Sequence, residues 1–136
     1  MILITGGKYQ GKLRCAMEVT EYTEDDVFDF AKLNSYEYAT SHIDYSKCAV
    51  WNNLDEYIRS LALSGTEEPQ LEKMMNKLLE NNNPKVIIMS EVGAGVIPID
   101  KEENVFREVT GRLAVSLAGK AAEVYRVICG LNMKLK

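Results

Sequence analysis

The sequence predicts an α/β fold with a mostly parallel central sheet. Two short runs carry the prediction, ILI at residues 2–4 and VIIM at residues 86–89, because both are apolar throughout. Strands of this kind are typical of parallel sheets, where helices bury both faces. A third observation is that segments with apolar residues at helical spacing separate these runs, which favours strands alternating with helices.

Three further elements are predicted in the first part of the chain, besides a short helix directly after the first strand. Thr23 and Asp26 have the spacing of a capping box, which predicts a helix that continues through Leu33. The alternation in YEYATS, at residues 36–41, is compatible with a strand. CAVW, at residues 48–51, has the composition of a buried strand.

Three helices and one strand are predicted in the rest of the chain. The helices cover residues 54–61, 67–80 and 101–122, each with apolar residues three or four positions apart. Gly111 lies inside the third helix at a cost of about 1 kcal/mol relative to alanine, which indicates close packing against another element. The last strand covers residues 124–129, and a basic tail follows it.

Length and composition predict one domain that covers residues 1–136. The formal net charge of −4 argues against binding to nucleic acid or to an anionic membrane. No apolar run approaches the ~20 residues of a membrane-spanning helix. The N-terminus lacks a secretory signal, so a cytoplasmic protein is expected.

The chain has three cysteines, Cys15, Cys48 and Cys129. Their odd number and wide spacing indicate free thiols and no zinc site.

The glycine-rich stretch GGKYQGK, at residues 6–12, fits the phosphate-binding loop pattern G-x-x-x-x-G-K. Gly6, Gly7 and Gly11 allow the backbone to turn so that successive N–H groups surround phosphate oxygens. Lys12 places a positive charge at the outer phosphates, and the following helix adds its positive N-terminal end. The alternative is an ordinary glycine-rich turn after an edge strand.

Leu13 departs from this pattern, which has Ser or Thr after the lysine to bind the Mg²⁺ of a nucleoside triphosphate. The acidic residue that often ends the second strand of such proteins, and holds Mg²⁺ through water, is also missing. The acid nearest to the strand at residues 48–51 is Asp44. The sequence therefore assigns no metal ligand.

A second glycine-rich loop, SEVGAGVIP at residues 90–98, follows the predicted strand at residues 86–89. Parallel sheets bind ligands at the carboxyl ends of their strands, so this loop is expected beside the phosphate loop. Glu91, Gly93 and Gly95 are its candidate binding residues. The alternative, a plain connection between strand and helix, does not explain the glycine spacing.

His42 is the single histidine of the chain and the natural candidate for a nucleophile or general base near neutral pH. It lies between Ser41 and Ile43, and the sequence assigns it no catalytic partner. The alternative is a partly exposed loop histidine without a catalytic role.

The C-terminal stretches resemble a known family, the bifunctional adenosylcobinamide kinase / adenosylcobinamide-phosphate guanylyltransferases. Residues 90–98 are similar to its pattern Asn-Glu-Val-Gly-x-Gly-Ile-Val-Pro, and residues 106–136 to its Phe-Arg-Asp, Gly-Arg and Gly-Leu-Pro-Leu-x-Leu-Lys segments. ILITGG followed by Gly11 and Lys12 is similar to the family's phosphate loop. Further matching positions are Trp51, Asn53, Leu54, Glu91, Val92, Gly93, Gly95, Pro98, Phe106, Arg107, Gly111, Arg112, Leu117, Ala118, Val124, Gly130, Leu131, Leu135 and Lys136.

This resemblance implies a three-layer αβα, RecA-like P-loop NTPase fold and a trimeric, cytoplasmic enzyme of cobalamin biosynthesis. Family members phosphorylate the aminopropanol hydroxyl of adenosylcobinamide with ATP or GTP, and then transfer GMP from GTP through a histidine-bound intermediate. The implied ligands are GTP or ATP, Mg²⁺ and a corrinoid. On this reading Lys12 is a catalytic residue that neutralises phosphate charge, and His42 is the candidate for the guanylylated histidine.

Several positions depart from the family pattern. The family's histidine lies in a stretch with Arg, Pro and Trp, and the surroundings of His42 lack that pattern. Ser90 stands in place of the usual Asn, and Ala114 with Val115 replaces an Asn-Gln pair. Leu13 replaces the family's Ser. The chain therefore looks like a shortened and diverged member.

Three functional hypotheses follow from the sequence. The first is a diverged family member that keeps a nucleotide site at the N-terminal loop. The second is a non-catalytic pseudoenzyme that binds a nucleotide without Mg²⁺, a corrinoid or a partner. The third is a different small-molecule kinase with the same loop. Mg²⁺-dependent binding that is lost in Lys12→Ala supports an enzyme, and Mg²⁺-independent binding supports the pseudoenzyme.

Overall fold

The computed structural model describes residues 1–32, 47–93, 95 and 100–136. The strands in these residues are β1 (Ile2–Gly6), β2 (Val27–Asp29), β3 (Val50–Asn52), β4 (Val86–Ile88), β5 (Glu123–Ile128) and β6 (Leu131–Lys134). The helices are α1 (Lys12–Val19), α2 (Leu54–Leu63), α3 (Glu68–Asn82) and α4 (Lys101–Lys120), with 3-10 turns at Glu24–Asp26 and Phe30–Lys32. His42, Pro98 and the strand expected at residues 36–41 lie outside the described residues.

The strands form one sheet in the order β2-β3-β4-β1-β5-β6. β1 lies between β4 and β5 and pairs in parallel with both, so Leu3 is opposite Ile87 on one side and Val124 on the other. β2, β3 and β4 are also parallel, whereas β6 pairs antiparallel with β5. This order confirms the predicted mostly parallel sheet. It also explains the apolar runs, since β1 and β4 lie in its interior.

Helices cover both faces of the sheet. α1 packs on one face, where Ile4, Cys15 and Val127 belong to a common buried cluster. α2, α3 and α4 pack on the other face, over Leu3 and Trp51. Leu3 and Ile4 are neighbours, and both are buried because successive side chains of a strand point to opposite faces. The fold is therefore the three-layer αβα arrangement.

The apolar stripes predicted for two helices are confirmed. Leu71 and Met75 of α3 are buried against the sheet. Four predicted positions of α4 are buried as well: Phe106, Val109, Leu113 and Leu117. None of the helices in the described ranges is both long enough and apolar enough to cross a membrane.

The prediction of a helix after Thr23 is wrong. The capping box forms, since the Thr23 N–H donates to Asp26 Oδ2 at 2.9 Å, but it begins a single 3-10 turn. The chain then extends into β2, which pairs in parallel with β3. Phe30 packs into the core beside Trp51, with ring centroids 5.6 Å apart. Strand pairing and burial of an aromatic ring outweigh the local helix signal.

Two strand predictions need correction. The buried strand expected at residues 48–51 lies at Val50–Asn52, which places Asn52 at the carboxyl end of β3. The tail expected after β5 instead contains β6, which turns back through Cys129 and Gly130 at φ values of 51° and 77°. Two consecutive residues with positive φ suit a tight hairpin. β6 is exposed throughout, so its sequence lacks the apolar signal of the other strands.

The prediction of close packing at Gly111, which was based on its place inside a helix, is wrong. A Cβ added at Gly111 would have no neighbouring heavy atom within 4 Å. The interior of α4 therefore contains a glycine for which the described part of the chain shows no packing requirement.

Candidate functional site

The loop between β1 and α1 lies at the carboxyl edge of the sheet. Gly6 and Gly11 have φ values of 147° and 89°, which residues with a side chain rarely adopt. A Cβ at Gly6 would also overlap the Val127 carbonyl oxygen on β5. A Cβ at Gly7 would lie 3.2 Å from Gln10 Cγ. Backbone geometry therefore requires glycine at Gly6 and favours it at Gly11.

Lys12, the first residue of α1, reaches back into this loop. It is 7% exposed, and its Nζ donates a hydrogen bond to the Gly7 carbonyl oxygen at 2.8 Å. Burial lowers the pKa of Lys12, while the charges of Asp55 and Glu91 oppose that shift. The loop thus surrounds a buried cation that has two carboxylates near it.

The N-terminus of α1 is not capped by a side chain. The Cys15 N–H donates to the Gly11 carbonyl oxygen at 3.0 Å, which is the first hydrogen bond of the helix. The N–H groups of Lys12, Leu13 and Arg14 consequently have no acceptor within α1. Free amides and the positive end of the helix dipole attract anions. The phosphate-loop pattern predicts a helix N-terminus at this place, directly after the loop.

The turn between β5 and β6 supports the loop. The Gln10 carbonyl oxygen accepts a hydrogen bond from the Gly130 N–H at 3.1 Å, and Gln10 Oε1 accepts another from the Cys129 N–H. Arg14 donates to the Gly130 carbonyl oxygen at 2.8 Å. No sequence pattern predicts these contacts, because they join residues that lie far apart in the sequence.

A cavity of about 670 Å³ opens between the loop, the ends of β2 and β3, and α2. Lys12 and Leu13 form part of one wall. Asn52, Phe30 and Leu63 also line the cavity. The volume lies in the range of ligand pockets, on the order of 300–1,000 Å³. The space next to the loop can therefore hold a small molecule or part of a larger one.

Asp55 is a residue of this edge that the sequence analysis does not single out. It is 4% exposed, and its Oδ1 accepts a hydrogen bond from the Ser90 N–H at 2.8 Å. This bond joins the start of α2 to the segment after β4. Asn52, at the end of β3, is also buried and lines the cavity. The sequence did contain a signal for Asn52 and Asp55, because polar residues that follow buried strands collect at one edge of a parallel sheet.

Charged side chains form a further part of the cavity wall. Lys8 of the loop contacts Glu56 of α2, with 2.7 Å between Nζ and Oε1. Arg59, on the next turn of α2, binds Glu103 of α4 at the same distance. Lys8, Glu56 and Arg59 all line the cavity, although none of them was predicted as a site residue.

The described start of the second glycine-rich loop lies beside the phosphate loop, as predicted. The Glu91 N–H donates to the Gly6 carbonyl oxygen at 3.1 Å. The Glu91 carboxylate accepts two hydrogen bonds from Arg126, at 2.7 and 2.8 Å, which hold the pKa of Glu91 below its usual range. Gly93 has a φ of 99°, which favours glycine, and Gly95 is exposed. Glu91, Gly93 and Gly95 are not among the residues that line the cavity.

The described residues contain no group of three or more His, Cys, Asp or Glu side chains that could hold a metal ion. Leu13 lines the cavity directly after Lys12, at the position where the loop pattern has a hydroxyl. The described residues give no information about His42.

A comparison with protein families identifies the relationship. The family described as "CobU: Cobinamide kinase / cobinamide phosphate guanyltransferase" matches residues 30–135, well over half of the chain. The chain belongs to this family. Its sheet and flanking helices are consistent with the P-loop NTPase fold that the resemblance implies. The phosphate loop precedes residue 30, so it lies outside the matched stretch.

Two curated relatives share one segment with the chain. Both carry the name "Bifunctional adenosylcobalamin biosynthesis protein CobU", one from Escherichia coli (strain K12) and one from Salmonella typhimurium (strain LT2). Each is 37% identical over 51 residues, which is 38% of this chain and 28% of the relative. The alignment therefore spans less than a third of either relative.

Proposed function

We propose that the chain binds GTP or ATP with its phosphates in the Gly6–Lys12 loop and acts as a cobinamide kinase / cobinamide phosphate guanylyltransferase in cobalamin biosynthesis. Membership of the family supports the substrate class. The hydrogen bond from Lys12 to Gly7 is the observation that carries the nucleotide site, because it places a buried ammonium group inside a loop next to uncapped helix amides.

The loop binds phosphate by exchanging hydrogen-bond partners. A phosphate oxygen replaces the Gly7 carbonyl as the acceptor for Lys12 Nζ, and further oxygens accept from the amides of Leu13 and Arg14. Gly6 and Gly11 allow the backbone to approach the ligand. The phosphate oxygen carries negative charge and the Gly7 carbonyl does not, so the Lys12 ammonium group binds the anion more strongly and the exchange is favourable.

The second loop has a supporting role in this proposal. Arg126 holds the Glu91 carboxylate, and the Glu91 N–H binds Gly6, so the start of the second loop is joined to the phosphate loop. We assign Glu91, Gly93 and Gly95 to the nucleotide side of the site, outside the cavity that α2 forms.

The cavity receives the second substrate. Leu63, an exposed apolar side chain of its wall, suits the carbon chain of the aminopropanol arm of a corrinoid. Asn52 and Ser60 offer polar groups for the hydroxyl. Phosphoryl transfer depends mainly on positioning and charge neutralisation, and an acceptor bound in the cavity would lie beside Lys12.

The residues at this edge do not fit a magnesium ion that is held by the protein. Leu13 offers no oxygen, and the described residues contain no group of three or more His, Cys, Asp or Glu side chains that could hold a metal ion. Mg²⁺ commonly keeps several waters and binds to substrate phosphates. A magnesium ion at this site would therefore be bound by the nucleotide, and we derive no step from protein ligation of it.

A phosphorylation assay tests this function. The protein is incubated with adenosylcobinamide and γ-labelled GTP or ATP, and label in the corrinoid is measured. We expect labelled corrinoid with the wild type and none with Lys12→Met. Nucleotide binding without labelled corrinoid at any magnesium concentration contradicts the kinase activity.

His42 is proposed as the residue that carries GMP. The test is α-labelled GTP followed by acid treatment, because a phosphoramidate bond to histidine is acid-labile. Acid-labile label that is absent in His42→Ala supports this role. Label that persists in His42→Ala removes it.

The second candidate function is a pseudoenzyme that binds nucleotide without catalysis. Leu13 favours it, because this side chain lines the cavity where a hydroxyl would otherwise bind the metal of the nucleotide. Nucleotide affinity that is unchanged between excess EDTA and excess Mg²⁺, together with no transfer to a corrinoid, supports the pseudoenzyme. Tighter binding with Mg²⁺ supports the enzyme.

Three further properties are proposed for the whole chain. The family resemblance supports a homotrimer, which light scattering of the purified protein tests. It also supports a cytoplasmic location, which fractionation of the source cells tests. We propose one domain over residues 1–136, and a single cooperative unfolding transition that several probes report together is the expected result.

A further inference from the structure

Lys8 and Glu56 join the phosphate loop to α2. The Lys8 Nζ lies 2.7 Å from Glu56 Oε1, and 48 positions separate the two residues. The Lys8 side chain is 57% exposed and that of Glu56 is 25% exposed. Both side chains line the cavity. The contact is therefore a solvent-accessible ion pair across the opening of the candidate site.

Glu56 lies near a second cation of the cavity wall. Arg59 is one helical turn away, and its hydrogen bond to Glu103 is the main cause of its raised pKa, to which the charge of Glu56 adds. Glu56 also raises the pKa of Lys8, chiefly through their hydrogen bond, while Arg59 lowers it. Without the charge of Glu56, the two cations Lys8 and Arg59 would therefore have one carboxylate fewer near them.

Lys8 and Lys12 belong to the same part of the loop. Lys12 Nζ binds the carbonyl oxygen of Gly7, the residue that precedes Lys8. The charge of Lys8 contributes to the lowered pKa of Lys12, so the two ammonium groups act on each other. Lys8 and Lys12 both line the cavity, so a terminal phosphate that extends past Lys12 into the cavity can reach Lys8.

We propose that Lys8 exchanges Glu56 for the terminal phosphate of a nucleoside triphosphate, which makes Glu56 a residue that determines specificity between triphosphate and diphosphate. This inference rests on the proposed function, because it requires a nucleotide in the loop. In the free protein, the Glu56 carboxylate forms an ion pair with the Lys8 ammonium group. A triphosphate reaches Lys8 and displaces the carboxylate, whereas a diphosphate ends at Lys12 and leaves the ion pair intact.

Calorimetric titrations with GTP and GDP in EDTA, at one fixed salt concentration, test the exchange. The variants are Glu56→Gln, Lys8→Met and the double variant. Glu123→Gln is the matched control, since Glu123 forms an exposed ion pair with Lys134 outside the cavity. Exposed ion pairs contribute little, so we expect Glu56→Gln to tighten GTP binding by about two- to fivefold and leave GDP binding unchanged.

Lys8→Met should weaken GTP binding and lower the ratio of GTP to GDP affinity, while Glu123→Gln should match the wild type. In the double variant, Glu56→Gln should give no further gain. An equal change for GTP and GDP, a gain that persists without Lys8, or no change at all overturns this inference alone. Failure of the wild type to bind GTP overturns the proposed function and this inference together.

Discussion

Lys12 Nζ donates a hydrogen bond to the Gly7 carbonyl oxygen at 2.8 Å, so the first residue of α1 holds the loop that precedes it. The carbonyl is a neutral acceptor for a buried cation. An anion is a stronger acceptor, and the amides that follow Lys12 in α1 are free to bind it as well. The geometry of the free protein therefore contains a position that a phosphate oxygen can take over.

The first prediction concerns Lys12→Met, which keeps the length of the side chain and removes its charge. We expect the affinity for GTP to fall by about ten- to a hundredfold, which corresponds to the loss of a hydrogen bond to a charged group. Calorimetry measures this affinity.

The control for that variant is Lys85→Met. Lys85 is exposed and precedes β4, at the opposite edge of the sheet. An equal loss of affinity in both variants would indicate general attraction between lysines and nucleotide, and would contradict a specific role for Lys12.

The second prediction concerns Asp55, which accepts a hydrogen bond from the buried Ser90 N–H. Asp55→Ala removes the acceptor and leaves this N–H unpaired, so the free energy of unfolding should fall by about 1–3 kcal/mol. Asp55→Asn keeps an acceptor oxygen and should lose less. Chemical denaturation measures both values, and equal losses would show that the hydrogen bond is not the cause.

The third prediction concerns pH. The hydrogen bonds from Arg126 lower the pKa of Glu91 from its usual value of 4.5, so the pair stabilises the fold while Glu91 is ionised. This stability is fully present above pH 4.5 and is lost as the pH falls through the lower pKa of the folded protein. Glu91→Gln lacks the titrating group. The difference in unfolding free energy between wild type and variant should therefore be largest near pH 7 and shrink below pH 4.5; a constant difference from pH 7 to 3 would contradict this.

The fourth prediction concerns two glycines with opposite surroundings. Gly111→Ala should stabilise the protein by about 0.5–1 kcal/mol, because a Cβ meets no neighbouring atom and alanine favours the helix. Gly6→Ala should destabilise it, because the Cβ overlaps the Val127 carbonyl oxygen at a positive φ. Melting temperatures of the two variants should move in opposite directions, and a loss of stability in Gly111→Ala would show a contact that the geometry lacks.

Local patterns predicted most of the fold. β1 and β4 are interior strands with continuous apolar runs, and α3 and α4 have clear apolar stripes, so each could be recognised from its own residues. β2 and β6 could not. β2 follows a capping box and depends on its pairing with β3, while β6 is an exposed edge strand with no apolar pattern.

The sequence could also predict only some residues of the candidate site. Gly6, Gly11 and Lys12 are close in the sequence, so a motif reveals them. Asp55 and Glu56 come from α2 and meet the loop because the carboxyl ends of parallel strands share one edge. That proximity depends on strand order, which a single sequence does not display.

The most direct test of the nucleotide site is a crystal structure of the protein soaked with a non-hydrolysable GTP analogue. We expect a phosphate oxygen within hydrogen-bond distance of Lys12 Nζ in place of the Gly7 carbonyl oxygen, and further phosphate oxygens at the N–H groups of Leu13 and Arg14. A bound analogue whose phosphates lie elsewhere, with Lys12 still on Gly7, would contradict the account.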